Sequence, residues 1–240
     1  MQPHPLIPPR RRLAVGAFLL AVASTVAAAA PPPPASAVAS PAAASGAQDE
    51  DYVDFFRWVD IDNDHGVAKL LKRGFDPNTR DPKGQVALFV ALRAKSLKVA
   101  KVLWEAPGIQ IDARNAADET PLMMAAMRAE ADAVQALLAH GAAPAKEGWS
   151  PLHYAATGGN AEVVRILLAR GAAIEARSPN GSTPLMMAAK YASEDAVDAL
   201  LAAGASRSAK NDLGMDAAAF AASAGRDRLA ARLKADAGAH

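Results

Sequence analysis

The sequence predicts an all-α solenoid of about six helix–turn–helix units, with divergent first and last units and short hairpin-like loops. Three observations predict it. Hydrophobic residues make up 51% of the 240-residue chain, yet aromatics only 5%. Alanine, about a quarter of the chain, fills the gap; it is the best intrinsic helix former, whereas sheets select β-branched and aromatic residues. Second, one block recurs: Thr120-Pro-Leu-Met-Met-Ala-Ala126, Ser150-Pro-Leu-His-Tyr-Ala-Ala156 and Thr183-Pro-Leu-Met-Met-Ala-Ala189, with prolines 30 and 33 residues apart. Third, each block is followed by a second apolar pattern that stops at a glycine: Val134…Leu137-Leu138 at Gly141, Val163…Leu167-Leu168 at Gly171, and Val197…Leu200-Leu201 at Gly204. A fixed period of this length marks units that bury their apolar faces only by stacking.

In chain order, the N-terminus stands apart from that array. Arg10, Arg11 and Arg12 precede Leu13 to Ala30, a stretch without charge that ends in small residues. A basic start, an apolar middle and small-x-small ends describe a secretory signal peptide over residues 1–30, with cleavage expected between Ala23 and Ala30. A retained membrane anchor is the competing reading, since 18 uncharged residues nearly span a bilayer. The Ala, Ser and Thr of its second half weaken insertion. Residues 31–48 open with Pro31-Pro32-Pro33-Pro34 and continue in Ala, Ser and Pro, the composition of a disordered linker. These 48 residues hold three Arg and no acid, so the net charge of +1 belongs to them. The remainder carries 23 basic against 25 acidic residues.

The array is expected over residues 49–240, with units at about 49–80, 81–114, 115–145, 146–177, 178–210 and 211–240. In each clear unit Thr or Ser supplies a capping oxygen and Pro takes the first helical position, where its missing N–H is no loss. The second pattern puts Val and two Leu on one stripe of a second helix, and Gly ends it in the left-handed conformation. Turn formers follow, as in Asp81-Pro-Lys-Gly84 and Pro179-Asn-Gly181. The first unit is Val67…Leu70-Leu71 with Gly74; Tyr52, Phe55, Phe56 and Trp58 before it read as the core of an N-terminal cap. The second, Val86-Ala-Leu-Phe-Val-Ala-Leu92, lacks Thr-Pro and runs one residue longer at Trp104-Glu-Ala-Pro-Gly108, so it should be the least regular. Three residues are missing between Gly141 and Gly148, which predicts a blunt or tilted loop there. The last unit, Asp216-Ala-Ala-Ala-Phe-Ala-Ala222, ends with Leu229…Leu233-Lys234, where Lys gives a terminal cap its polar outer face.

These blocks resemble the ankyrin repeat, whose signature is Thr-Pro-Leu-His-x-Ala at a period of 33. Pro151-Leu152-His153 with Ala155 carries it most fully; Phe89, Met123, Met186 and Ala219 replace the His elsewhere. The resemblance covers about residues 50–235 and, with the export signal, points to exported bacterial members. It implies that His153 makes structural hydrogen bonds. It also implies a concave face, lined by loop tips and the exposed ends of the first helices, that binds a protein partner. The positions it assigns there are Lys83, Arg93, Glu119, Met127, Arg128, Lys146, Trp149, Thr157, Asn180, Lys190, Tyr191 and Met215, with Gln85, Glu147, Ser182 and Leu213 beside them. Trp149 and Tyr191 belong to types enriched at binding hot spots; the alternative for Trp149 is that it covers the shortened loop. Some exported members are linked to periplasmic catalase and peroxide defence, others serve as immunity proteins against toxic enzymes, and these residues select neither.

No catalytic constellation is legible. The chain has no cysteine, which excludes disulfides, zinc-thiolate sites and Cys nucleophiles. Of five His, His4 lies in the signal, His240 is the last residue, His140 precedes Gly141 at a helix end, and Ser150, three before His153, reads as a cap rather than a nucleophile. Asp60, Asp62, Asn63 and Asp64 resemble part of a calcium loop but lack its Glu at the twelfth place. They read as the acidic opening of the helix near His65. Scattered basic residues give no nucleic-acid footprint. The expectation is a monomeric, non-enzymatic protein-interaction module, periplasmic or secreted, with no cofactor, metal, nucleic acid or small-molecule substrate. The alternative is a scaffold anchored in the inner membrane and facing the periplasm.

Overall fold

The computed structural model describes residues 46–235; the signal peptide or anchor and nearly all of the linker lie outside them. The repeat array is all-α, twelve helices in six pairs: α1 (Gly46–Asp60) with α2 (Asp64–Lys72), α3 (Ala87–Ala94) with α4 (Leu97–Trp104), α5 (Pro121–Met127) with α6 (Ala131–Ala139), α7 (Pro151–Gly158) with α8 (Ala161–Ala169), α9 (Pro184–Tyr191) with α10 (Glu194–Ala202), and α11 (Ala217–Ser223) with α12 (Asp227–Ala235). After α1, every helix runs seven to nine residues. Isolated helices so short are not stable in water, so packing holds them. First helices pack on first helices, from α1 on α3 through α9 on α11, and second helices on second helices, from α2 on α4 through α8 on α10. Arg232 of α12 continues the outer row by ion pairs to Glu194 at 3.2 Å and Asp198 at 2.8 Å on α10.

The N-terminal aromatics do form a cap core. Phe55 is fully buried, with its ring centroid 4.6 Å from Phe75 and 5.4 Å from Phe56. The Trp58 ring lies over Gly66, where a Cβ would come within 2.5 Å. The acidic turn after α1 is used for capping. Asn63 accepts from the Gly66 N–H at 3.0 Å, and Asp62 reaches into the next unit to accept from the Val99 N–H of α4 at 3.0 Å. Helix α4 thus takes its side-chain cap from another unit, since its own Ser96 makes no such bond.

The loops preceding α3, α5, α7, α9 and α11, here called fingers, share one backbone device. Three residues before each helix stands a left-handed residue: Gly84, Asp118, Gly148, Gly181 and Gly214, at φ between 61° and 72°. The finger before α7 carries this residue in step with the rest and is not blunt, contrary to the expectation from length. Its missing residues come from the turn before it: two residues separate Gly141 from Pro144, whereas five separate Gly171 from Arg177. Ala145 replaces the side chain (Asp81, Asn115, Ser178 or Asn211) that accepts finger N–H groups elsewhere. Lys146 supports this finger instead, donating from Nζ to the carbonyls of Glu147 at 3.1 Å and Trp149 at 3.3 Å and pairing with Asp118.

Helices α5 and α9 start on reciprocal caps. Thr120 and Thr183 accept from the N–H of Met123 and Met186 at 3.3 and 3.4 Å, and each Thr N–H points at the Met sulfur at 3.4 Å. At α7 the reciprocal cap expected at Ser150 uses the His153 ring in place of a Met sulfur. The Ser150 N–H donates to His153 Nδ1 at 3.2 Å, and Ser150 Oγ, the capping oxygen of this box, also lies 2.9 Å from the same nitrogen. With Nδ1 accepting, the ring proton sits on Nε2 and donates to the Ser182 carbonyl of the next finger at 2.9 Å. One ring therefore joins two units. His153 is 1% exposed, and burial pulls its pKa down to about 4 despite the carbonyl partners that favour the cation.

Two predictions follow from these locks. An unfolded His titrates near 6.5, so the stability that His153 contributes is complete above that pH and declines as pH falls toward about 4. The loss reaches at most about 3 kcal/mol. Urea denaturation from pH 7 to 4 should show His153→Met, the residue of the sister blocks, losing less stability on acidification than wild type. A constant gap between the two curves would exclude His153 as the group. In hydrogen exchange, residues 86–108 should open first among the internal units, because neither α3 nor α4 is capped by its own side chain. Asp62→Ala should accelerate exchange across 97–104 about fivefold, the effect of one cap near 1 kcal/mol, and leave 184–191 unchanged.

Candidate interaction surface

The finger side of the array is built by its own bonds before any partner is considered. Arg80 donates to the Gly84 carbonyl of its own finger at 2.6 Å and to the Arg114 carbonyl of the next at 2.9 Å. Arg177 repeats this with Gly181 at 2.8 Å and Lys210 at 2.6 Å. Pro144 interrupts the series, and there Asp118 bridges Arg114 at 3.0 Å and Lys146. Burial raises the Asp118 pKa, but Lys146 and Arg114 outweigh it and hold the carboxyl below its usual range.

Several of the twelve assigned positions are engaged within the array. The Lys146 side chain is only 7% exposed. Glu119 accepts from the Tyr154 hydroxyl at 2.7 Å and from Asn115 Nδ2 at 2.8 Å. Burial and then the Glu119 charge push the Tyr154 phenol upward, so it stays a donor. Arg93 is bonded to Gln85, Thr157 donates to the His153 carbonyl at 2.9 Å, and Asn180 accepts from Ser178 Oγ at 2.6 Å. Trp149 is half-buried with its ring edge-on to His153, centroids 5.3 Å apart. Ser182, placed on this face by resemblance, is instead 1% exposed, because its carbonyl receives the His153 ring and its N–H the Ser178 hydroxyl oxygen.

The remaining positions offer more to a partner. Lys83 and Arg128 are exposed, and Met127 and Met215 are half-buried. Lys190 Nζ stands 5.3 Å from the Tyr191 ring centroid and 5.8 Å from that of Phe220, a cation held over two rings beside a tyrosine that is 37% exposed. Leu213, at the tip of the last finger, is 78% exposed. Sequence reasoning missed Tyr154 and Phe220. Both belong to recurring blocks and read as core. Their polar and cationic contacts join residues 35 and 30 positions apart, which no local pattern shows.

The Ser150–His153 pair has no route to nucleophilic chemistry. Ser150 is 2% exposed, and the far ring nitrogen meets a carbonyl where a triad requires a carboxylate. Among the described residues no three His, Asp or Glu gather to hold a metal ion, and no helix is long and apolar enough to cross a membrane.

Comparison with known families agrees with the geometry. A model of ankyrin repeats in three copies matches residues 59–145 and 107–178, and a single ankyrin repeat matches 180–212. No curated protein matches the chain. Stacked helix pairs, fingers pinned by left-handed residues, Thr-Pro caps and the family match together place this chain in the ankyrin-repeat family.

Proposed function

We propose that this chain is an exported, non-enzymatic recognition module of the periplasm, and that it binds its partner along the row of fingers and first-helix ends. Ankyrin repeats generally mediate protein–protein binding. The observation that carries the reading is Tyr191, which among the described residues is the exposed aromatic. It closes α9 on the assigned row, with Lys190 over its face and Arg128 exposed two units earlier on the same side. Aromatic and Arg side chains of this kind anchor interfaces. Export rests on Arg10–Arg12 and the uncharged Leu13–Ala30. The exported proteins that the sequence resembles, in peroxide defence and in toxin immunity, act with an enzyme, and we take the partner here to be a periplasmic enzyme that the array supports or inhibits.

The second reading, a scaffold held by an uncleaved N-terminus, draws on the length of that uncharged stretch. N-terminal sequencing of the exported protein separates the two: a start at Met1 supports the anchor, and a start between Ser24 and Pro31 removes it.

Tyr191→Ala and Arg128→Ala test the surface. Each should weaken the partner complex by about 1–2 kcal/mol while changing unfolding free energy by less than about 0.5 kcal/mol, as surface substitutions do. Trp149→Ala should weaken binding as well, with an added stability loss from its contact with His153. Recovery of the same periplasmic proteins by wild type and by Tyr191→Ala/Trp149→Ala would show that this row is not the site.

A further inference from the structure

Five large apolar side chains are exposed among the described residues, and three of them, Val53, Ile61 and Leu97, stand in the first two units. Ile61, 65% exposed, lies in the turn between α1 and α2; Leu97, 37% exposed, opens α4. The Asp62–Val99 bond fastens that turn to the start of α4, so both side chains belong to one end of these units. Beside them is a group of lysines. Helical spacing sets Lys98 and Lys101 on the face of α4 opposite buried Val99, Ala100 and Leu103, and Lys69 and Lys72 on the matching face of α2 opposite Val67 and Leu70. α2 packs beside α4, which makes this one surface.

All four lysines are exposed, and among the described residues none makes an ion pair or hydrogen bond. Lys95, by contrast, is paired with Glu130 at 2.6 Å. Of the acids in these units, Asp51 and Asp54 are bound to Arg73 and Arg57, and Asp62 to the Val99 N–H. The later units do not repeat the pattern. Where α4 has Lys98 and Lys101, α6 has Asp132 and Gln135, α8 has Glu162 and Arg165, α10 has Asp195 and Asp198, and α12 has Arg228 and Ala231, so no later helix repeats the pair of lysines. The lysine pairs on two adjacent helices are thus confined to the first two units, where three of the five exposed apolar residues also are.

We propose that the outer face of the first two units is a peripheral contact surface for an anionic lipid bilayer. The lysines meet the headgroup phosphates, and Ile61 and Leu97 enter the interface beside them. Lysines alone suit any acidic partner. Branched apolar side chains at the edge of an unpaired basic face match a bilayer, whose charge and hydrocarbon are layered in that order. The surface stands on second helices, away from the finger row, so bilayer contact leaves the proposed recognition row open.

The chain lacks cysteine, which permits a site-specific test with the full protein. Leu97→Cys carrying an environment-sensitive fluorophore should shift to the blue with vesicles of 70% phosphatidylcholine and 30% phosphatidylglycerol, and not with phosphatidylcholine alone. The same label at Ala202→Cys, exposed at the end of α10, reports binding through any other part of the chain. Lys98→Glu/Lys101→Glu in the Leu97→Cys background should reduce partitioning about tenfold or more, given the contribution of each lysine near an anionic surface, and 0.5 M salt should act in the same direction. Equal shifts at the two labels, a shift unaffected by the charge reversal, or no shift at all would overturn the proposal. A shift with polyglutamate but not with vesicles would overturn it in favour of an acidic protein partner. Circular dichroism of the charge-reversed protein, expected to match wild type, keeps a folding defect from passing as lost binding.

Discussion

Close contact between first helices is the constraint on which the array depends. Small side chains at two adjacent positions favour it, and in three units alanines fill both: Ala125-Ala126, Ala155-Ala156 and Ala188-Ala189 are fully buried, while α3 buries Ala91 with the larger Leu92. The last unit shows what the pair is for. Ala221 is buried, whereas Ala222, at the position of Ala126, Ala156 and Ala189, is exposed, and among the described residues no further unit packs against it. At α7 the approach is closer still, since a Cβ on Gly158 would come 2.6 Å from the Met127 carbonyl oxygen. Helices of seven to nine residues gain their stability from this lateral packing, not from their own length.

Backbones so close leave polar groups between units that must be paired, and the pairing is mostly done across unit boundaries. Asp62 caps α4, His153 meets the Ser182 carbonyl, Glu119 holds Tyr154, and Arg226 donates to the carbonyls of Ala188 and Ala189 at the end of α9, at 3.1 and 2.8 Å. The last of these also places a cation on the negative end of a helix. Apolar stacking sets the spacing, and these bonds fix the register.

The fold was legible because its determinants are local and repeat. Thr-Pro, Ala-Ala and terminal Gly each act within one helix or turn, and a period makes them conspicuous even where Phe89 or Met186 stands in for a His. Cross-unit bonds were less legible, because their partners stand some 30 residues apart. His153 as a structural residue and Ser150 as the helix cap are legible, but the bond from the His153 ring to the Ser182 carbonyl is not. The loop after Gly141 shows a different limit. Its length was counted correctly, but a count does not say which part of a loop is lost. The left-handed position three residues before the helix, which shapes the finger, is retained at Gly148, so the deletion falls in the turn before it.

The same distinction applies to the candidate surface. Resemblance gives positions on a face, while the chemistry at each position depends on what the neighbouring unit does with it. Lys146 and Glu119 occupy assigned positions yet hold fingers and helices together, because the loss of Arg and Asn-type side chains at Pro144 and Ala145 left carbonyls and an Asp118 carboxylate for Lys146 to satisfy. Arg128 stands exposed just past the end of α5, and Tyr191, with Lys190 over its ring, keeps 37% of its surface exposed at the end of α9. A repeat protein can vary such positions without disturbing its register, and cannot vary the first kind. Recognition in this chain is therefore best sought where the side chain stays exposed at the end of a helix.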